Sequence, residues 1–478
     1  MGVAATPLAI SDVALLIGLS FNTQDDLPPM NVAVLDIGKT NVKCVVFDVG
    51  GHAVFERQTR NDVLPAPPYA HFDVERIWNF FGQALHEACQ AFAIDVIVPT
   101  THGASGVMLD GHGLALPIMD YEDPAIDQIS DRYNALRDPF SKTFSPSLKA
   151  GLNLGRQFAY AAWCFPDAYA KATHILTYPQ YWGWRLTGVC ASDICSLGTH
   201  TDLWFPLEKR TSDLAEKLGV GQRLAPLRNP WDVLGTIKPE LAKAFDIPAD
   251  IKVLCGIHDS NASLLPYLGA VKSPFTLLST GTWVITMAVG HALDTMNGGA
   301  DMLANIDAYG RPIACANFMG GREYGAIAGD CKVPPSIEGI DALIKANIFA
   351  MPCFAPGSGP YGKRQSEIKG AVNPDQRANL ATLYAAMMSV NRLDDLNVTQ
   401  GDILIDGNYA QNETLCNVIA ALKPSQKVFA AKDHSGTARG ASLLATWGQP
   451  QKPPEMKLMT PAALPGLATY YQNWKAHL

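Results

Sequence analysis

Four short stretches carry side chains able to act on a phosphorylated or hydroxylated ligand. The first is Asp36-Ile37-Gly38-Lys39-Thr40-Asn41, followed by Lys43. A tight turn there exposes backbone N–H groups, and Gly38 lets a ligand approach the backbone closely. Hydroxyl, amide and lysine groups beside it suit phosphate oxygens. An acidic residue ending the preceding strand suits a hydrated Mg²⁺, which takes few protein ligands. An ordinary hairpin with a polar turn would use the same residues. The second stretch, Ser279-Thr280-Gly281-Thr282, repeats this equipment. The third is Gly256-Ile257-His258-Asp259-Ser260-Asn261-Ala262-Ser263. Its Asp259 follows a strand, where open α/β sheets place ligand groups, and can take a proton from a hydroxyl nucleophile. It can equally cap a helix starting at Asn261. The fourth is Asp406-Gly407-Asn408-Tyr409-Ala410-Gln411-Asn412, a strand running into a helix whose N-terminus suits a purine, ribose or phosphate group. The later Ser435–Ala441 run of small residues reads as a helix start or as tight helix packing.

The elements that must position these groups follow from periodicity. VAVLDI, GKTN and VKCVVFD read as strand, turn and strand, and AVFER as a third strand. Ile77, Phe80, Phe81, Ala84, Leu85 and Ala88 share one face of a helix over 74–93. The apolar run at 94–99 fits a buried parallel strand. A second hairpin opens at FTLL (275–278), turns at STGT and returns through 283–290. Helices over 377–388 and 414–422 and strands over 402–406 and 427–431 complete an α/β second half. Two related halves, each headed by a hairpin with a small hydroxylic turn, would grip one nucleotide's phosphates from both sides.

In this order the motifs resemble the FGGY carbohydrate kinases of the sugar-kinase/actin/Hsp70 superfamily, from about Asn31 to the C-terminal region. DIGKTNVK is similar to that family's first phosphate loop, and LLSTGTW to the second. HFDVERIW resembles its acidic-then-Trp segment. THGASGVMLDGHGLALPIMDYED resembles its sugar-contact strand pair, YPQYWGWRLTG its D-Y-L-x-x-x-L-T-G helix, and GIHDSNAS the segment with its catalytic Asp. The last is closest in form to rhamnulokinase and fuculokinase, with xylulokinase a further relative in style.

The resemblance implies an α/β fold of two ribonuclease H-like domains around a central cleft. Residues 31–265 would form the first domain and 266–478 the second, after a disordered leader at 1–30. It implies ATP and Mg²⁺ in that cleft and a small ketose, a pentulose or hexulose of the fuculose, rhamnulose or xylulose type, as acceptor. Asp259 would be the general base and Asp36 would bind Mg²⁺ through water. Gly38, Lys39, Thr40 and Asn41, with Lys43 nearby, would face the departing phosphates. Thr280, Gly281 and Thr282 would hold the γ- and β-phosphates. Gly320, Gly407, Asn408 and Asn412 would border the adenosine. His102, Gly103, Ala104, Asp120, Tyr121, Glu122 and His258 would touch the sugar. Two departures stand out. The adenosine loop reads Asp406-Gly407-Asn408-Tyr409 where the family has runs of glycine, so Asn408 is expected to take the left-handed conformation. His102-Gly103 stands where relatives carry Gln-Arg or Phe-Gly. The altered loop keeps one alternative open, a non-catalytic sugar or nucleotide sensor on the same fold, beside a kinase of a polyol or sugar acid.

Composition bounds the remaining classes. A chain of 478 residues needs no disulfide or metal to hold a core. Its 37 Lys and Arg against 45 Asp and Glu give a net charge of -8, which disfavours nucleic acid and anionic lipid as partners. No stretch of about 20 apolar residues occurs, and no Lys or Arg precedes Lys39, so neither a spanning helix nor a signal peptide is expected. The 10 cysteines are scattered and read as reduced thiols of a cytoplasmic protein. The charged fraction of 17% suits a homodimer with a buried subunit surface, and equally a large monomer core.

Overall fold

The computed structural model describes residues 30–432, 436–449 and 454–478. The expectations for residues 1–29 and for Ser435 lie outside the described residues.

Two seven-stranded sheets organise the chain. The first contains β1 (Asn31–Ile37), β2 (Asn41–Phe47), β3 (Ala53–Arg60), β4 (Ile94–Thr101), β5 (Val233–Thr236), β6 (Lys252–Leu254) and β7 (Ile257–His258). Its order is β5-β6-β4-β1-β2-β3, with β7 also on β4. The second contains β8 (Phe275–Thr280), β9 (Val284–Val289), β10 (Met302–Ile306), β11 (Pro312–Phe318), β12 (Asp402–Gly407), β13 (Val428–Ala431) and β14 (Met456–Leu458). Its order is β10-β11-β9-β8-β12-β13-β14.

The two sheets share a plan. In the first, β1–β2–β3 is an antiparallel meander and β4 and β6 add in parallel on the other side of β1. In the second, β8–β9–β11 is antiparallel and β12 and β13 add in parallel beyond β8. This duplicated ribonuclease H-like arrangement bears out the expected fold class.

Helices cover both faces, as parallel strands buried on two sides require. Alternation along β1 divides its side chains: Ala33, Leu35 and Ile37 meet α1 (Val74–Ala91) and α2 (Tyr178–Thr187), while Val32 and Val34 face the other way. On that second face lie Ala262 and Leu265 of α3 (Asp259–Leu268) and Ala441 of α7 (Gly436–Ser442). Leu264 and Tyr267 of α3 pack instead on Phe275 and Leu277 of the second sheet. The opposite face of that sheet packs against α5 (Arg377–Asp395) and α6 (Glu413–Leu422). The small residues around Gly440 serve helix packing: a Cβ there would overlap the Ala262 carbonyl oxygen. All ten cysteines are free thiols, six of them buried. Among the described residues no helix is long and apolar enough to cross a membrane.

Candidate active site at the strand ends

Register assembles the first half of the site. Asp36 pairs with Lys43 across the hairpin and with Thr100 on β4, and Thr100 pairs with Ile257 on β7. One step further, Ile37, Thr101 and His258 stand in line. The C-terminal ends of three parallel strands thus deliver Asp36, His102 and the His258-Asp259 pair to one place.

The turn after β1 closes through Gly38 N–H donating to Asn41 C=O at 2.9 Å. Asn61 clamps it from outside: its side-chain amide donates to Gly38 C=O at 2.8 Å, and its backbone N–H to Thr40 C=O at 2.9 Å. Thr40 and Asn41 remain exposed. Lys43 lies 3.7 Å from Glu56. Lys39 departs from its expected place. Its ammonium pairs with Asp120, lies 3.2 Å from Glu122 and sits 4.8 Å above the Tyr121 ring. Carboxylates and an aromatic face outcompete an exposed position for this cation, so Lys39 belongs to the sugar-segment cluster, not to a free phosphate turn.

His102 is buried, 7% exposed, and neither ring nitrogen has a hydrogen-bond partner among the described residues. The rings of Phe72, Tyr121 and Tyr178 surround it at 5.0–5.3 Å between centroids. Burial, with the charge of Lys39 nearby, pushes its pKa down to about 3, so it is neutral. Gly103 carries no side chain because the His258 ring fills the space where a Cβ would go. Ala104 is held by Gln157, whose amide donates to its C=O at 2.9 Å and accepts from Gly106 N–H at 3.0 Å. Asp120 is buried and also accepts from Glu122 N–H at 3.2 Å, while Glu122 itself is exposed.

Asp259 opens α3 but does not cap it in the ordinary way. Its Oδ1 accepts from Ser260 N–H at 2.6 Å and Ser260 Oγ at 3.2 Å, and lies 3.1 Å from His258 Nε2. Oδ2 makes no hydrogen bond among the described residues. The carboxylate also gains from the helix N-terminus. The Asp36 carboxylate forms no hydrogen bond among the described residues either, and burial together with the Asp259 charge pushes its pKa up to about 7. Two adjoining carboxylates, with Lys43 across the hairpin from Asp36, form a donor set suited to a hydrated Mg²⁺.

The second half of the site is knitted around Thr280. Its hydroxyl donates to Asp406 C=O at 2.6 Å and accepts from Tyr409 N–H at 2.9 Å. Its proton and one of its two lone pairs thus join β8 to the turn after β12. Gly281 and Thr282 stand at the open turn, where nothing would obstruct a Cβ on Gly281. Thr282 C=O accepts from Gly321 N–H at 3.1 Å, which brings the start of α4 (Gly320–Ala328) against the turn. Gly320 fits beneath Tyr409 Oη and Val284.

Two adenosine-loop expectations are revised. The left-handed residue is Gly407, φ 87°, and not Asn408. A Cβ there would overlap Thr280 C=O. Asn412 caps α6: its Oδ1 accepts from Leu415 N–H at 3.0 Å, and its amide nitrogen lies 3.1 Å from Thr382 Oγ1. It therefore shapes the loop from behind. Asn408, exposed at the start of a short 3₁₀ turn, stays available. Asn61, Gln157, Phe72, Tyr178 and Asn261 were not singled out by sequence. Their roles depend on partners far along the chain; Phe72, Tyr178 and Asn261 lay inside the motifs HFDVERIW, YPQYWGWRLTG and GIHDSNAS, whereas Asn61 and Gln157 offered no signal.

Comparison with known proteins gives the same picture. Residues 31–266 match the model for the FGGY family of carbohydrate kinases, N-terminal domain, and residues 272–453 that for Carbohydrate kinase FGGY, C-terminal domain. The L-fuculokinase of Salmonella typhi is 25% identical over 281 residues, 55% of this chain and 57% of that kinase. The matched stretch thus spans less than two thirds of that relative. The crystal structure of a carbohydrate kinase from Novosphingobium aromaticivorans is 31% identical, covers 93% of this chain and 99% of that one, and superposes with a TM-score of 0.85. Ligand-bound xylulose kinase from Lactobacillus acidophilus shares the fold at 15% identity and a TM-score of 0.77, over 94% and 96% of the chains.

Proposed function

The chain belongs to the FGGY family of carbohydrate kinases, and from that premise we propose that it transfers the γ-phosphoryl group of ATP to a hydroxyl of a small, uncharged ketose. The observation that carries the mechanism is Asp259, whose hydrogen bonds all fall on Oδ1 while Oδ2 is free. The sugar O–H bond breaks and its proton passes to Oδ2. The hydroxyl oxygen bonds to the γ-phosphorus, and the bond from that phosphorus to the bridging oxygen breaks, its electrons leaving with ADP. Positioning and charge neutralisation do most of the work in such a transfer.

The turn N–H groups that follow Gly38 and Gly281, whose own N–H groups close the two turns, would hold the phosphates. Asp36 would hold Mg²⁺ through water, and the ion would neutralise phosphate charge. Substrate class follows from charge: Asp120 and Glu122 hold Lys39, and Asp36 and Glu56 stand beside Lys43, so both of these cations already face carboxylates, next to the neutral imidazole of His102. A carboxylate on the substrate would find no spare positive partner there. A neutral His102 offers one donor and one acceptor to hydroxyls.

The test is an ADP-release assay over pentuloses, hexuloses, polyols and sugar acids. A ketose is expected to turn over best and sugar acids worst. Asp259→Asn is expected to lose about 10²–10⁴-fold in turnover while still binding Mg-ATP. Near-normal turnover in that variant rejects Asp259 as the base, and absence of Mg-ATP binding by calorimetry in the unaltered protein rejects the kinase reading.

A further inference from the structure

Lys39 ends among groups whose hydrogen-bonding capacity is only partly used. An ammonium carries three N–H donors. One meets Asp120 Oδ1 and a second faces Glu122 at 3.2 Å. The third has only the ring faces of Tyr121 and Phe72, whose centroids lie 4.8 and 5.4 Å from Nζ. A hydroxyl oxygen is a better acceptor than a ring face. Asp120 is in the same condition: Oδ1 takes Lys39 and Glu122 N–H, whereas Oδ2 accepts no hydrogen bond among the described residues. His102 is the third such group. It is 7% exposed, and neither ring nitrogen has a partner among the described residues. Its ring shares the walls of Lys39, 5.2 Å from Phe72 and 5.3 Å from Tyr121. A buried polar group without a partner is costly, and a ligand that completes its hydrogen bonds explains why it is kept.

Charge narrows what can fill this place. Two carboxylates already hold the one ammonium, so a phosphate or a carboxylate entering here would meet Asp120 and Glu122. A neutral oxygen that both accepts and donates fits: it takes the spare N–H of Lys39 and gives its proton to Asp120 Oδ2. The aromatic faces beside it suit the C–H bonds of a carbon skeleton.

We propose that Lys39 is a specificity-determining residue for the sugar: with Asp120 it binds one hydroxyl of a vicinal diol, whose neighbouring hydroxyl lies on His102, against the faces of Phe72 and Tyr121. The proposal rests on the reading of the chain as a ketose kinase and narrows it, because the substrate must carry two adjacent hydroxyls besides the one that is phosphorylated. It also withdraws Lys39 from the phosphates, although the residue stands in the first phosphate turn.

The experiment uses the full-length protein and whichever of fuculose, rhamnulose and xylulose turns over best, together with its monodeoxy analogues that keep the phosphorylated hydroxyl. In the wild type two neighbouring positions are expected to be sensitive, the loss of either hydroxyl lowering kcat/KM by about 10–100-fold. Lys39→Met keeps chain length and removes the donors. It is expected to raise the KM of the parent ketose by about 10–100-fold, with the KM for Mg-ATP within about twofold. In that variant, removing the hydroxyl bound by Lys39 is expected to cost less than about threefold further, a coupling that a merely structural role would not produce. The proposal is overturned if Lys39→Met raises the KM for Mg-ATP and spares that of the ketose, which would make Lys39 a phosphate ligand, or if the deoxy penalty is unchanged in the variant. Without any variant, it is overturned if the wild type accepts every monodeoxy analogue within about twofold. Should Lys39→Met not fold, because two carboxylates lose their cation, Lys39→Arg takes its place: it keeps the charge but presents a longer, planar group, and is expected to show the same rise in ketose KM and the same reduced penalty. Absence of both ketose turnover and Mg-ATP binding would instead mark failure of the kinase reading, a distinct outcome.

Discussion

Asp36 carries a cost that the folded protein accepts for the sake of its site. A half-buried carboxyl beside another carboxylate holds its proton more tightly than in the unfolded chain, and its pKa rises from 3.8 to about 7. Folding therefore favours the neutral form. Below the unfolded pKa this group costs nothing. As pH rises through the window from 3.8 to about 7, stability is lost, and above it the loss is constant. Asp36→Asn removes that loss. In metal-free buffer the variant is expected to be more stable than wild type at pH 8 by about 1–3 kcal/mol, a figure discounted for partial solvent contact, and no more stable at pH 3.5. Urea unfolding at both pH values measures this. An equal gap at the two would mean that packing, not charge, is responsible. The variant is also expected to lose Mg-dependent turnover, separating the stability of the site from its use.

At the scale of elements, α3 is the part on which the site depends. It starts at Asp259 and ends near Tyr267, whose hydroxyl donates to Asp406 at 2.8 Å, and its ten residues span about 15 Å between the two halves of the site. Gly440 of α7 lets that helix lie directly on its backbone. Gly440→Val forces a side chain into the Ala262 carbonyl, which cannot retreat without moving α3. The expected cost is about 1–3 kcal/mol in denaturant unfolding, accompanied by a lower kcat. Gly325 in α4 is the contrast: an added Cβ meets nothing, and Gly325→Ala is expected to gain about 0.5–1 kcal/mol. Destabilisation by both variants would refute the close-approach explanation.

Elements of this kind were legible in the sequence to different degrees. The two hairpins and the buried strand β4 follow from period-two patterns and continuous apolar runs, and they emerged within a few residues of their expected limits. The chemistry of the turns was legible as residue type. What a side chain does once folded was not. Lys39 reads as a phosphate ligand until Asp120, 81 residues away, captures it. Asn412 reads as an adenosine contact until it is found capping its own helix. The left-handed position fell on Gly407 because the close pass over Thr280 C=O leaves no room for a side chain, a constraint set 127 residues earlier in the chain.

For the whole molecule, the boundary near residue 266 suggested by the hairpins leaves a core in each half, on α1 and α2 and on α5 and α6, but it cuts through the layer between the sheets. The face of the first sheet formed by Val32, Val34, Val45 and Val98 is covered by α3 and by Ala441 and Leu444 from near the C-terminus. α3, in turn, gives Leu264 and Tyr267 to the second sheet. The two sheets therefore share one helical layer, supplied partly from each half. Breaking the halves apart would expose both sides of α3, at about 1.5–3 kcal/mol for each large apolar side chain uncovered. The links Tyr267–Asp406, Asn261–Ile306 and Thr199–Asn305 would break with it. Calorimetry is accordingly expected to show one cooperative transition for the full chain instead of two. A fragment of residues 31–271, which keeps the whole first sheet but lacks α7 and the second sheet, is expected to stay unfolded by circular dichroism and to be digested rapidly by protease. Two separate transitions, or a fragment that unfolds cooperatively, would show that each half folds without the shared layer. The interlocking has a functional reading as well: the helix that bears Asp259, the proposed base, is the one that neither half can release alone.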